Sequence, residues 1–277
     1  MNRLTVILIT LNEERNLPRL LASLADLADE IVVVDCGSTD RTCEIAWQHG
    51  ARVFFRPWTG YGDQKNFAAA QATHEWVLAL DADEELSPQL RESLLVWKEQ
   101  APTKVAYEFP RKASYLGRWI RHSGWYPDRK VRLYRRDLAR FVGVVHESVQ
   151  VDAPVGRLDG DLYHHTVRTF ADHVAKVDRY TTLAAEQLFA AGRRHWLAGM
   201  LLAAPWTFLQ RLFLQGGVLD GYRGWLIAGM AARYVFLKYR KLGVLVSGGL
   251  LPQRAPGPLP GRVGKGQTVS PEGKPKL

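Results

Sequence analysis

The chain has 277 residues and is 47% hydrophobic, which allows one large domain with its own core, or one domain and an appendage. Its net charge of +9 predicts an anionic partner: nucleic acid, a phosphorylated substrate or a membrane surface. The two cysteines, Cys36 and Cys43, have no metal-ligand spacing and exclude a disulfide framework, which suits a reducing cytoplasm.

Strands and helices alternate over the first hundred residues. Continuous apolar runs predict four buried strands, at residues 4–9, 31–34, 53–55 and 76–80. A polar loop and a predicted helix follow each strand. This order predicts a doubly wound α/β sheet.

Two aspartates, Asp81 and Asp83, come directly after the fourth strand, with Ala82 between them. Ligands of open α/β sheets bind outside the carboxyl ends of the strands. Carboxylates placed there suit Mg²⁺ or Mn²⁺, which can hold a diphosphate. The alternative is a strand that ends in a helix cap with acidic first-turn residues, and the pattern alone leaves both interpretations open.

From residue 104 the pattern changes to short alternating stretches, such as 130–134 and 144–149, which predict antiparallel or mixed strands. Residues 104–140 hold eleven Lys and Arg but three acids.

From about residue 170 the chain is predicted to be helical, with two apolar stretches at 196–214 and 225–237. A membrane span needs about 20 apolar residues, and Pro205 interrupts the first stretch. The stretches therefore predict helices in a membrane interface, with tryptophans and cationic ends at headgroup level. The alternative is a helical subdomain packed on the core.

The predicted organisation has three parts. Residues 1–168 form a catalytic domain, 169–245 a helical region, and 246–277 a Pro/Gly-rich tail whose composition predicts disorder.

Six short motifs follow one another along the chain, at residues 10–14, 34–40, 64–66, 81–83, 124–134 and 145–147. In this order they resemble the family 2 inverting glycosyltransferases of GT-A fold, a Rossmann-like mixed sheet with helices on both faces. The last two motifs resemble the branch of bacterial lipopolysaccharide-core β-glucosyltransferases. The resemblance covers about residues 3–240.

The resemblance implies a UDP-sugar donor. The backbone around Thr10 and Leu11, with the Glu13 carboxylate, would hold uridine and its ribose. Asp35 would accept a hydrogen bond from a uracil N–H; its position also fits a cap for the following helix. Glycine at position 37 would allow close backbone approach.

The resemblance also implies a diphosphate site and a divalent metal, Mg²⁺ or Mn²⁺. Gln64 and Lys65 would lie near the diphosphate and sugar, where a lysine supplies a point charge. Asp83 would bind the metal. Asp81 would contact the ribose, or the metal indirectly, and Ala82 would line the donor site.

In this family the acidic base lies where this chain has Glu147, which would take the proton from the acceptor hydroxyl. Many relatives carry Glu-Asp here, whereas this chain has His146 before Glu147. A solvent-facing strand residue is the alternative for Glu147.

Four further residues fit the acceptor or diphosphate side. Trp125, Arg129 and Arg132 lie in a matching motif, and arginines pair with phosphates in bidentate geometry. His164 matches a family histidine that closes over the metal or pyrophosphate; a solvated or capped His164–His165 pair is the alternative.

The predicted activity is metal-dependent transfer of glucose or a related hexose to a cell-envelope glycan or glycolipid such as lipopolysaccharide core. The predicted location is cytoplasmic, peripheral on the inner face of the cytoplasmic membrane. Transfer to a polyprenyl phosphate is an alternative within this class. A basic nucleic-acid-binding module would explain the charge but not the acids at three strand ends, so nucleic acid is not among the predicted partners.

Overall fold

The computed structural model describes residues 1–143 and 147–251, with the backbone of residues 267–268. His146 and most of the tail predicted to be disordered lie outside the described residues.

The contacts divide the chain into two compact units. Of the described residues, the first unit comprises Met1–Arg111, Asp128–His164 and residues 267–268, and the second comprises Lys112–Pro127 and residues 165–251. The domain boundaries that the sequence predicts, at residues 168 and 245, stay a prediction. The contacts place Lys112–Pro127 in the same unit as the helices.

Four parallel strands lie at the centre of the sheet in the first unit. Across the sheet they follow the order β3, β2, β1, β4, with every neighbouring pair parallel. The four strands predicted from apolar runs are thereby confirmed. They are β1 (Leu4–Thr10), β2 (Glu30–Asp35), β3 (Arg52–Phe55) and β4 (Trp76–Asp81).

Helices cover both faces of these strands. In β1, Leu4, Val6 and Leu8 pack in one hydrophobic cluster and Ile7 in another, because successive side chains of a strand point to opposite faces. The first cluster takes side chains from α1, α2 and α4, and the second from α3. The helices are α1 (Leu17–Ser23), α2 (Thr42–Gln48), α3 (Tyr61–Gln71) and α4 (Pro88–Glu99).

Nine further strands follow in the described part of the chain, and most of them extend the same sheet, which becomes mixed because some of them are antiparallel to their neighbours. The strands are β5 (Glu84–Leu86), β6 (Ala106–Tyr115), β7 (Arg118–Trp119), β8 (Asp128–Arg135), β9 (Ala139–Val142), β10 (Ser148–Val151), β11 (Gly156–Arg157), β12 (Leu162–Val167) and β13 (Gln267–Thr268). β8 is antiparallel to both β4 and β6, as the alternating pattern at 130–134 predicts. β12 is antiparallel to β5, and β9 pairs with β10 in a separate two-stranded sheet.

The second unit is mainly helical. Its α5 (Phe170–Ala190) begins with a capping box between Thr169 and Asp172 and packs against α7 (Tyr222–Val246). Between them, α6 (Ala204–Leu209) is flanked by two π-helical turns. Among the described helices, none is long and apolar enough to cross a membrane.

A buried aspartate fixes a turn of the same unit. Asp220 is 7% exposed and accepts hydrogen bonds from the backbone N–H groups of Arg121 and His122 and from the Ser123 hydroxyl. These bonds join residues almost a hundred positions apart, which explains why Lys112–Pro127 groups with the helices.

Candidate active site

The carboxyl ends of three parallel strands bring polar residues to one edge of the sheet. Thr10 lies opposite Asp35, and Ile9 lies opposite Asp81. The Thr10 hydroxyl donates a 2.8 Å hydrogen bond to Asp35 Oδ2.

The Asp35 carboxylate holds the loop that follows β2 through hydrogen bonds to residues of that loop. Its Oδ1 accepts from the backbone N–H groups of Gly37 and Ser38 at 2.8 and 2.7 Å, and its Oδ2 accepts from the hydroxyls of Ser38 and Thr10. Gly37 has φ +104°, a conformation that favours glycine. A carboxylate has about four acceptor positions, so a uracil N–H would have to replace one of these bonds.

The loop after β1 is joined to the loop after β2. The Glu13 backbone N–H donates to the Thr42 hydroxyl at 2.7 Å, and the Glu13 carboxylate accepts from the Asn16 amide at 2.6 Å. Leu11, which precedes these residues, is partly buried. The Thr42 backbone N–H donates to Asp40, which supports a capping role for that residue.

Helix α3 presents three polar residues. Gln64 is fully buried; its amide nitrogen donates to the carbonyls of Arg56 and Pro57, and its Oε1 has no partner among the described residues. Asn66 exchanges two hydrogen bonds with the backbone of Phe141, which fixes β9 against the helix.

Lys65, between them, connects two carboxylates that are distant in sequence. Its ammonium group lies 2.7 Å from Asp81 Oδ1 and 3.0 Å from Glu147 Oε1, and its side chain is 3% exposed. Burial alone would raise the pKa of Asp81, but Arg132 and Lys65 hold that pKa well below its usual range. Asp81 is therefore an ionised, fully paired carboxylate.

Glu84, for which the sequence predicted no role, joins Lys65, Asp81 and Arg132 in one charged cluster. It is fully buried, and one Arg132 nitrogen lies 2.7 Å from Glu84 Oε1 and 2.8 Å from Asp81 Oδ2. Glu84 Oε2 accepts from the Asp81 backbone N–H at 2.8 Å. Burial raises the pKa of Glu84, which Arg132 opposes. The only sequence signal was its position directly after Asp83.

Asp83 lies beside His164. Because β12 pairs with β5, His164 is opposite Glu84, and its Nε2 is 3.2 Å from Asp83 Oδ2. Neighbouring ligands of an octahedral ion lie about 3 Å apart, so a carboxylate and an imidazole at this distance fit one divalent ion. The described residues contain no group of three or more such side chains.

A cavity of about 380 Å³ opens next to the charged cluster. Acids and cations share its wall: Asp81, Glu108, Arg111, Arg129, Lys130, Arg132 and Glu147. Arg129 and Arg132 lie in a motif that predicts a role at the site, whereas no motif includes Arg111. Arg111 reaches the site through its 2.7 Å ion pair with Asp128 at the start of β8.

Trp125, also expected near the site, does not line this cavity. It belongs to the second unit, where its ring packs edge-on against Tyr115 at 5.6 Å.

Residues 5–149 match the family described as Glycosyl transferase family 2. An uncharacterized glycosyltransferase of Rickettsia typhi is 30% identical over 87% of each chain. The lipopolysaccharide core biosynthesis glycosyltransferase LpsC of Rhizobium meliloti is 32% identical over 86% of this chain and 91% of its own. The crystal structure of S. aureus TarS 1-349 in complex with UDP-GlcNAc has a TM-score of 0.46 at 19% identity, over 99% of this chain and 98% of that chain.

The mixed sheet with helices on both faces has the architecture of a GT-A glycosyltransferase. The chain belongs to glycosyl transferase family 2. The family and fold class expected from the six motifs are confirmed, and the chain is an enzyme of the glycosyltransferase class.

Proposed function

We propose that the chain transfers a hexose such as glucose from a UDP-sugar to a cell-envelope glycan or glycolipid of the lipopolysaccharide-core type, with inversion at the anomeric carbon. One observation carries this proposal: the strand-end carboxylate Asp81 and the candidate base Glu147 line one cavity and share Lys65. The similarity to LpsC supports the acceptor class.

The donor would lie with its nucleoside at the loops after β1 and β2 and its diphosphate near Lys65 and Arg132. Asp83 and His164 would hold Mg²⁺ or Mn²⁺, which neutralises the charge that develops on the leaving nucleoside diphosphate. Lys65 and Arg132 add two buried cations to the same region.

Glu147 would act as the general base. It accepts the proton of the acceptor hydroxyl while that oxygen forms a bond to the anomeric carbon. The bond between this carbon and the phosphate oxygen breaks, and the electron pair leaves with the nucleoside diphosphate. A single carboxylate suffices because the displacement is direct.

The acceptor would enter the cavity from the side of Arg129 and Lys130, which are exposed and line its wall. Cations there suit a phosphorylated or otherwise acidic acceptor. Because such an acceptor is anchored in a bilayer, this function calls for an enzyme at the cytoplasmic face of the membrane.

A hydrolysis screen tests the donor and metal together. UDP- and GDP-sugars are incubated with the chain and Mg²⁺, Mn²⁺ or a chelator, and free nucleotide is measured. We expect slow metal-dependent hydrolysis of a UDP-sugar that Asp83→Ala removes. Asp159→Ala, at an exposed aspartate, is the matched control and keeps the activity. Absence of hydrolysis and of nucleotide binding under all conditions would overturn the proposal.

A further inference from the structure

Part of the helical unit exposes large apolar side chains to solvent. Six of them, which we call the apolar surface, are 46–71% exposed: Leu202, Trp206, Leu209, Phe213, Leu214 and Trp225. Single exposed apolar residues are common in soluble proteins, but a contiguous group of this kind marks an interaction site.

The apolar surface follows one side of the chain around α6. Residues 202, 206, 209 and 213 are spaced by four, three and four positions, as on one face of a helix. The opposite side is packed: Ala204 and Leu212 are buried. Arg211, the only charge between residues 196 and 214, donates to the Ser123 carbonyl and the Gln215 side chain. The exposed face is therefore free of charge.

The stretch of chain that carries the apolar surface is cationic. Residues 193–251 contain eight Lys or Arg and a single acid, Asp220, which is buried. One of the eight, Lys241, is paired with Asp178 of α5. Arg193 and Arg194 are exposed just before the apolar stretch. A second copy of the chain would bring like charges together, whereas anionic lipid headgroups complement them.

A shallow apolar depression of about 470 Å³ adjoins the same region. Leu201, Pro205 and Phe236 are among the residues that line it. Its walls are apolar apart from Arg233. Such a depression suits a lipid hydrocarbon chain, with Arg233 placed to contact an anionic headgroup.

We propose that the apolar surface inserts into the interfacial layer of a bilayer that contains anionic lipid. Leu202, Leu209 and Phe213 enter the acyl boundary, and Trp206 and Trp225 lie at headgroup level, where tryptophan is favoured. The proposed contact is with one leaflet of the bilayer and uses no spanning helix. This proposal depends on exposure and charge in the second unit and is independent of the donor and acceptor.

Vesicle flotation of the full chain tests the proposal. The vesicles consist of phosphatidylcholine alone or mixed with phosphatidylglycerol. We expect the wild type to float with the mixed vesicles. The double variant Leu202→Ser/Phe213→Ser should have a partition coefficient at least about tenfold lower, because it loses two apolar side chains that the bilayer would bury. Val96→Ser/Leu138→Ser is the matched control, since both residues are similarly exposed apolar residues of the first unit, and it floats as the wild type does.

A second measurement needs no change in the apolar side chains. Arg193→Glu/Arg194→Glu should weaken flotation with the mixed vesicles, and most strongly at low salt. Light scattering after size exclusion measures the assembly state. The proposal is overturned if the wild type fails to float with anionic vesicles, if the serine double variant floats equally well, or if the surface instead holds a dimer that this variant dissociates.

Discussion

The ammonium group of Lys65 lies 3.0 Å from the carboxylate of Glu147, a residue 82 positions further along the chain. The same group lies 2.7 Å from Asp81 at the end of β4. One cation on α3 therefore pairs with both the strand-end aspartate and the proposed base. In the proposed reaction this arrangement holds Glu147 beside the cavity and places a positive charge where the diphosphate binds.

Lys65→Met should damage both stability and donor binding. Methionine keeps the length of the side chain but leaves Asp81 and Glu147 without their shared cation. Removal of one partner from a buried pair costs about 3 kcal/mol, so the urea midpoint of unfolding should fall clearly. Under conditions where the variant remains folded, turnover should fall about a hundredfold, because a preorganised positive charge is lost. Lys104→Met, at an exposed lysine, should change neither quantity.

Gly62→Ala tests the position of Glu147 without altering any charge. A Cβ at Gly62 would lie 3.2 Å from the Gly143 carbonyl oxygen and 3.7 Å from the Glu147 Cβ. The Gly143 carbonyl must then shift by a few tenths of an ångström, and the new methyl group comes into van der Waals contact with the Glu147 side chain. We expect slower transfer with little change in UDP affinity, measured by steady-state kinetics and calorimetry.

Gly229→Ala is the control for that variant. It adds the same methyl group within α7, where nothing lies within 4 Å of the new Cβ. It should leave transfer unchanged, and equal rates for the two variants would contradict a positioning role for Gly62.

Glu30→Gln should change the pH dependence of stability. Burial would raise the pKa of Glu30, but hydrogen bonds from Thr5, Thr73 and Arg52 lower it to about 2. Because the folded pKa lies below the unfolded value of about 4.3, ionised Glu30 stabilises the fold fully above that value. The stabilisation is lost as the pH falls from there towards 2.

We therefore expect Glu30→Gln to lower the free energy of unfolding by about 2 kcal/mol at pH 7. The deficit should shrink below about pH 4. Urea unfolding at several pH values measures both effects, and Glu99→Gln, at an exposed glutamate, is the control. A deficit that stays constant down to pH 3 would contradict the assigned hydrogen bonds.

The central strands could be predicted from the sequence because a strand buried on both faces must be apolar throughout. Residues 76–80 are such a run, and β4 forms there. The meeting of Thr10, Asp35 and Asp81 follows in turn, because parallel strands end at a common edge.

The pairings within the site could not be predicted in the same way. Nothing in the local pattern of Arg132 indicates a pair with Glu84, which lies 48 positions earlier. Such contacts depend on how β4, β5 and β8 pack, and a single sequence does not encode those distances locally. The same holds for Asp220, whose side chain fixes the turn at residues 121–123.

For Asp35 the sequence leaves two roles open, and the structure adds the missing information. The position of Asp35 at the end of β2 predicts either a nucleoside contact or a cap. Only the geometry shows that four hydrogen bonds already occupy its carboxylate.

The central claim is that Glu147 removes the acceptor proton in a UDP-sugar transferase, and Glu147→Gln tests it most directly. Glutamine keeps the side-chain length and an oxygen that can accept from Lys65, but it cannot take the proton. Transfer of labelled sugar to a lipopolysaccharide-core acceptor is measured beside UDP-sugar binding by calorimetry. We predict that transfer falls at least about a hundredfold while the donor still binds. A variant that transfers sugar at the wild-type rate would contradict the account.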